Sequence, residues 1–341
     1  MVRRGPRSGL YAMVAVHSTM RGPSLGGCRV WAYADPQAAI DDVLRLSRAM
    51  TLKAAVAGLP LGGGKGVIAA PADRPLTGAF RRAALQDFGE LVRSLDGRYI
   101  TAEDVGTATR DMALIATETR HVAGLPRSRG GSGDPSPYTA LGVLAAIRAA
   151  CELAFGDDSL RGRRVSVLGL GHVGSRLAGL LARAGAQLIV CDVDARRSEL
   201  AAQLGAKWTT PDRAWRAAVD VLAPCALGGL LNADTVPRLR CRVVAGAANN
   251  QLSDDGVATQ LRDQGILWVP DFVANAGGLI NIGEEANGYD PRAARRRVGE
   301  IGLTVHQIFR RASETGATAL AAALELVESR LAPPVSSLAG P

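Results

Sequence analysis

Two lysines stand twelve residues apart in MTLKAAVAGLPLGGGKGVI, residues 50–68, at Lys53 and Lys65. The chain carries 40 basic residues and only one other lysine, Lys207, so arginine is used almost everywhere else. Arginine stays protonated at any accessible pH, whereas a lysine in a dry setting can lose its proton and act as a base. Exemption from the bias at these two places points to chemistry. One lysine can neutralise a carboxylate while the other, its proton loosened by burial and by the neighbouring positive charge, acts as the base. The surrounding glycines do not make a nucleoside-triphosphate loop, which needs glycine where Leu59 stands and Ser or Thr where Gly66 stands. They read as a glycine turn that lets a substrate approach the backbone beside Lys65.

The second constellation is Gly169-Leu170-Gly171-His172-Val173-Gly174. Alone, such glycines can do no more than tighten a turn. Here the strand-like RVSVL precedes them, the helical SRLAGLLARAG follows, and the strand-like QLIVCD ends at Asp192, eighteen residues past Gly174. This unit predicts a pyrophosphate seated on the amino terminus of a helix, with Asp192, followed by Val193, receiving the adenosine ribose hydroxyls. Asp194 follows closely and no arginine comes before Arg196, so a 2′-phosphate would meet negative charge. The cofactor expected is NAD rather than NADP. His172 and Val173 fill variable positions of the loop, and His172 is expected to be exposed and not catalytic.

These residues need a scaffold. In the first half, YAMVAVHST and RYITAEDVG have strand patterns, while PQAAIDDVLRLSRAMTLKAAVAG, RRAALQDFGELVRSL and TRDMALIATETRHVAG have helical ones. LPRSRGGSGDPSPY is crowded with Gly, Ser and Pro and marks a boundary, after which TALGVLAAIRAACELAF reads as a long helix. Past the βαβ unit, the short apolar runs VDVLAP, CRVVAGA and ILWVP read as parallel strands with functional loops at their carboxyl ends. The fold class expected is α/β with two domains separated by an active-site cleft. Residues 1–137 form an α/β substrate-binding and oligomerisation domain with a mixed sheet, and 138–290 a Rossmann NAD-binding domain. Residues 291–341 are helical and pack back on the first.

Composition narrows the function classes. At 341 residues the chain can build two cores, and 47% apolar residues with mixed charge describe a folded, soluble protein. No uninterrupted apolar run reaches membrane-spanning length, and MVRRGPRSGL has no apolar stretch behind its basic residues, so a cytoplasmic protein without a membrane partner is expected. The five cysteines are scattered without metal or redox spacing and read as reduced thiols, and no metal site is expected. A net charge of +8 raises nucleic acid as a partner, but dispersed arginines and 4% aromatics argue against it. No internal repeat appears, and the tail APPVSSLAGP reads as a frayed end.

The segments GPSLGGCR, MTLKAAVAGLPLGGGKGVI, RYITAEDVGT, GSGDPSPYTALGV, APCALGG, AGAANNQL and VPDFVANAGGLINI together resemble the family of leucine, valine and phenylalanine dehydrogenases, in order from about Ser8 to Tyr289. The resemblance implies that Lys65 is the general base activating water for attack on an imine, that Lys53 binds the substrate carboxylate, and that Asp104 assists proton transfer and positions the amino group. It places Thr139, Ala226, Asn249 and Asn250 around the nicotinamide or at the domain cleft, with Asn249 also binding substrate, counts Cys225, Leu227, Ala247 and Asn275 among the cofactor-binding residues, and has residues 275–279 close the substrate side. Gly26 and Gly27 face the substrate. Each of these loop residues alone also fits turn chemistry or helix capping.

Where related glutamate dehydrogenases carry a lysine for the distal carboxylate, this chain has Leu25, which implies an apolar pocket walled by Leu25, Met50, Ala276 and Leu279. Three departures stand out. The chain starts close to the first matched strand, Cys28 replaces the residue usual in GGTR, and Glu284-Glu285-Ala286 replaces Asp-Glu-Leu beside the pocket. The expectation is reversible NAD-dependent oxidative deamination of a branched-chain or aromatic L-amino acid to the 2-oxo acid and ammonium, by a homo-oligomer of at least two subunits. Two other readings stay open: the same scaffold acting on an unusual keto acid or imine, and an NAD-binding regulator without turnover.

Overall fold

The computed structural model describes residues 1–226 and 228–332, without the side chains of 286 and 287. Leu227 and the tail beyond Ala332 lie outside the described residues. The chain divides into two compact units. Met1–Asp134, Ile282–Pro291 and residues 327–332 form the first, and Pro135–Asn281 with Arg292–Leu326 form the second. The expected boundary at residue 137 thus lies three residues late. Most of the helical segment expected to pack back on the first domain belongs to the second.

The first unit is built on strands β1 (Val2–Arg4), β2 (Tyr11–Ser18), β3 (Ser24–Trp31), β4 (Gly62–Ala69) and β5 (Tyr99–Glu103), in the order β1-β2-β4-β3-β5. β2 pairs antiparallel with β1 and β4, while β3 lies parallel to both β4 and β5, so the sheet is mixed. Strand alternation sorts its side chains to two faces. Met13, Ala15 and Val67 meet Ala39 and Val43 of helix α1 (Pro36–Val56). Val14, Cys28 and Ile68 meet Leu85, Phe88 and Leu91 of helix α2 (Gly78–Arg93). Asp35 starts α1, accepting a bond from Ala38 N at 2.8 Å with Pro36 in the first helical turn. The helix expected over TRDMALIATETRHVAG, α3, stops at Thr109–Ile115, because the chain must turn back to bridge Val122 to Thr101 of β5.

The second unit opens with helix α4 (Ser136–Phe155) and contains six parallel strands. These are β6 (Arg164–Leu168), β7 (Gln187–Cys191), β8 (Lys207–Trp208), β9 (Val221–Pro224), β10 (Val243–Val244) and β11 (Leu267–Trp268), ordered β11-β10-β9-β6-β7-β8. The order reverses between β6 and β9, which is where doubly wound sheets receive dinucleotides, at the strands' carboxyl ends. By length and composition α4 is apolar enough to cross a membrane. Its Val143, Ile147 and Ala150 are buried, and it packs against helix α5 (His172–Arg183) and the helix Ile301–Thr315. It is a core helix. Ile301, Val305 and Ile308 make the buried face of Ile301–Thr315, which accounts for residues 292–326 joining the second unit.

Candidate active site

Lys65 lies in the middle of β4, not in a turn. Its neighbours Gly62, Gly63, Gly64 and Gly66 are paired strand residues whose missing side chains let other parts of the unit approach. A Cβ on Gly63 would stand 2.1 Å from Thr51 N, so α1 lies directly on β4 two residues before Lys53. On Gly66 it would reach the Phe88 ring at 2.5 Å, and on Gly26 it would overlap Gly64 O at 1.7 Å. The Tyr99 hydroxyl also borders the Gly66 position, 3.0 Å from such a Cβ, and donates to Gly26 O at 2.6 Å. Leu25 is buried on β3, Met50 is half-buried on α1, and Lys53 is half-buried in the last turn of α1.

Lys65 is only 4% exposed, and its Nζ meets Asp104 Oδ1 at 3.0 Å. Asp104 follows β5 and fits because Gly27 has no side chain, since a Cβ there would be 2.6 Å from Asp104 Cβ. Its second oxygen, Oδ2, accepts from Arg29 Nε at 3.0 Å. Burial pushes the Asp104 carboxyl up, but the charges of Lys65 and Arg29 and their hydrogen bonds outweigh it and hold the group below the usual carboxylate range. The stabilisation from this ionised group is therefore in place above the ordinary carboxylate pKa and is lost as the pH falls through the depressed value. Burial and the nearby Asp104 carboxylate push the Cys28 thiol up, so it stays protonated.

In the second unit the three loop glycines do three different things. Gly169 has φ +98°, which favours glycine, and a Cβ on it would press on Ala226 Cβ at 2.8 Å. On Gly174 a Cβ would overlap Gly169 O at 1.9 Å, so α5 packs directly on the loop. On Gly171 it would meet nothing within 4 Å, which leaves the space over the start of α5 open. Asp192 accepts from Leu170 N at 2.6 Å and from Asp194 N at 2.9 Å, which ties the glycine loop to the end of β7. His172 and Val193 are exposed, Val193 to 95%.

The loops after β9 and β10 close around the same end of the sheet. Cys225 N donates to Leu168 O at 2.8 Å, and Ala248 N to Pro224 O at 2.9 Å. Burial pushes the Cys225 thiol up to about 12. Asn275 Nδ2 donates to Ala247 O at 3.2 Å and to Asn249 Oδ1 at 2.8 Å, while Asn275 Oδ1 is buried with no partner among the described residues. Thr139 sits on α4 against Gly278, where a Cβ would be 2.6 Å from its Oγ1. Ala276 and Leu279 are buried in this unit, whereas Leu25 and Met50 belong to the first. An open glycine cradle, a carboxylate at the end of β7 and an unsatisfied buried acceptor fit a dinucleotide with a carboxamide.

Three features escaped the sequence reading. Arg29, the second cation on Asp104, stands two positions after Gly27 on β3, a strand whose glycines hide its pattern, so the sequence carried no signal for it. Arg196 forms a fork on Asp194, Nε to Oδ1 and Nη2 to Oδ2 both at 2.9 Å, so the negative charge there is partly countered. Glu285 lies in the first unit and holds a loop: its Oε1 accepts from Gly124 N at 3.0 Å and Ser132 N at 2.7 Å, and its Oε2 from Gly124 N at 3.1 Å.

Residues 3–121 match the family model described as Glu/Leu/Phe/Val dehydrogenase, dimerisation domain, and residues 190–288 match Glutamate/Leucine/Phenylalanine/Valine dehydrogenase. A leucine dehydrogenase of Thermoactinomyces intermedius is 45% identical over 325 residues, covering 95% of this chain and 88% of the relative. A valine dehydrogenase of Streptomyces virginiae is 43% identical, covering 95% and 90%. The crystal structure of L-tryptophan dehydrogenase from Nostoc punctiforme superposes with a TM-score of 0.82 at 40% identity, covering 97% of this chain and 94% of that one. A hetero-hexameric glutamate dehydrogenase from Thermus thermophilus superposes with a TM-score of 0.80 at 27% identity, covering 94% and 83%. The chain belongs to the Glu/Leu/Phe/Val dehydrogenase family, amino acid dehydrogenases that act on a CH–NH2 group.

Proposed function

We propose that the chain catalyses the reversible NAD-dependent oxidative deamination of an apolar L-amino acid to its 2-oxo acid and ammonium. The observation that carries this reading is the Lys65–Asp104 ion pair in the sheet of the first unit, with Lys53 on the helix laid against the same strand. Lys53 binds the substrate carboxylate. NAD, when bound, supplies the hydride acceptor for Cα. With the substrate oxidised to its imine, Lys65 takes a proton from the water that adds to Cα; the ionised Asp104 then takes the hydroxyl proton of the resulting carbinolamine and passes it to the nitrogen, so that the C–N bond breaks as C=O forms and the released ammonia is protonated to ammonium. One proton is released overall, so alkaline conditions favour deamination.

An apolar substrate is supported by Leu25 and by the leucine, valine and tryptophan dehydrogenases among the relatives. NAD is supported by Asp192 at the end of β7, with the exposed Val193 beside it as an apolar surface for adenine. Within this reading Gly171 at the start of α5 would hold the pyrophosphate, and Asn275 Oδ1 would accept from a carboxamide N–H. A subunit pair formed through the first unit is supported by the description of its family model, and a cytoplasmic location by five unbridged cysteines.

The test is the initial rate of NAD reduction at alkaline pH with L-leucine, L-valine, L-phenylalanine, L-tryptophan and L-glutamate, with NADP as the cofactor control. The expected result is turnover of an apolar member with NAD and little with L-glutamate or NADP. Intact NADH binding with no turnover of any member would sink the reading.

A further inference from the structure

Arg29 pairs with Val67 in the register of β3 and β4, two residues beyond Lys65, so both cations stand on the sheet face that α1 covers. Each oxygen of Asp104 has its own cation: Lys65 Nζ at 3.0 Å from Oδ1, and Arg29 Nε at 3.0 Å from Oδ2. The other arm of the guanidinium, Nη1, donates to Asp42 Oδ2 at 3.0 Å. Asp42 lies on α1, three helical turns before Lys53, and is fixed by the Tyr33 hydroxyl at 2.7 Å and Arg45 Nη2 at 2.6 Å. One side chain therefore joins the carboxylate after β5 to the helix that carries Lys53. The Cys28 thiol, Tyr33 and Tyr99 also lie within electrostatic reach of Asp104, and behind Cys28 stand Asp111 and its ion-pair partner Arg81.

Whenever Lys65 is neutral during turnover, Asp104 loses one of its two counter-charges. A shielded carboxylate without a cation takes up a proton, and the Lys65–Asp104 exchange would stall. Arginine cannot give up its proton, so its charge persists through the step.

We propose that Arg29 is a positioning residue of the reaction, keeping Asp104 ionised and aimed at Lys65 while Lys65 is neutral and tying that pair through Asp42 to the helix of Lys53. This rests on the deamination reading above. A lysine at position 29 would restore the charge but not the planar fork that reaches both carboxylates.

The experiment compares pH profiles of kcat and kcat/KM for the wild type, Arg29→Gln and Arg29→Lys, with a carboxyl 13C titration of Asp104 in aspartate-labelled wild type and Arg29→Gln. For Arg29→Gln, the acid limb of kcat/KM and the Asp104 titration both move up by about one pH unit or more. Its plateau kcat falls about tenfold to a hundredfold, with a smaller change in KM. Arg29→Lys brings the limb most of the way back while kcat stays several-fold low. A folded Arg29→Gln that loses the same factor at every pH, with Asp104 titrating as in the wild type, would reduce Arg29 to a structural role and overturn the proposal. If Arg29→Gln does not fold, Arg29→Lys decides: a wild-type kcat overturns the proposal, and a lowered kcat with the limb in place supports it. If the wild type turns over none of the amino acids, the deamination reading falls, and the titration, which needs no turnover, still rules on Arg29.

Discussion

In the first unit, glycines 26, 27, 63, 64 and 66 lie inside or beside paired strands, where an added Cβ would meet other atoms of the unit at 1.7 to 2.8 Å. In the second unit, Gly171 faces open space although it belongs to an equally glycine-rich run. The same residue type thus reserves room for two different things. In the sheet the room is taken by the chain itself: the Thr51 backbone, the rings of Tyr99 and Phe88, and the Asp104 side chain. Over α5 it is open, and in the proposed reading the pyrophosphate would take it. Glycine in a sheet weakens strand pairing unless something packs into the vacancy, and here the vacancy lets Lys53, Lys65 and Asp104 be carried by elements in direct contact.

The comparison breaks most visibly at Lys65. Lys65→Ala should cut turnover by about a hundredfold to ten-thousandfold and leave NADH affinity unchanged by fluorescence titration, because the two functions reside in different units. Next in size is Gly26→Ala, which forces backbone against backbone. Thermal unfolding should report a loss of about 3 kcal/mol, with NADH binding retained in whatever fraction stays folded.

Gly171→Ala should do the reverse. Its φ of −68° suits any residue, so the melting temperature should hold while NADH binding weakens about tenfold, or 1.4 kcal/mol, as the methyl enters the pyrophosphate's path. If Gly171→Ala instead lowers the melting temperature and spares binding, the contrast between the two kinds of glycine is wrong. The smallest effect is expected from Arg196→Ala. Freeing Asp194 should shift preference further from NADP toward NAD, by no more than about a few-fold because the pair is exposed and screened by solvent, as read from the ratio of the two binding constants.

The parallel sheet was legible because VSVL, LIVC, VLAP and CRVV are dense in β-branched and aliphatic residues and each ends in glycine or a polar turn. β3 and β4 were not legible as strands. SLGGCRVW and GGGKGVIA carry glycine where a strand pattern needs side chains, so the lysine segment read as a turn. What signal there was lay in the Val67-Ile68 and Val30-Trp31 ends. The lysine argument ran by a mixed route. Lys207, the third exemption from the arginine bias, is exposed on β8 at the edge of the second sheet, where lysine serves as an ordinary guard against edge pairing. Asp104 entered through family resemblance, and Arg29 was invisible because nothing in a strand of sequence shows which carboxylate, 75 residues away, it will reach.

The clamp made by Glu285 also sets an order of events while the protein is being made. Gly124 leaves the ribosome 161 residues ahead of the carboxylate that accepts its N–H. At roughly 5 to 20 residues per second, about 8 to 30 s pass before that partner exists. All five strands of the first sheet have emerged by then, so the sheet can form early while the loop from Gly124 to Ser132 waits, its amides bound to water. The whole second parallel sheet is synthesised in the interval. Completion of the first unit is thus deferred until after the second unit's strands are out, and a nascent chain halted before residue 285 would carry a finished sheet with an unfastened loop.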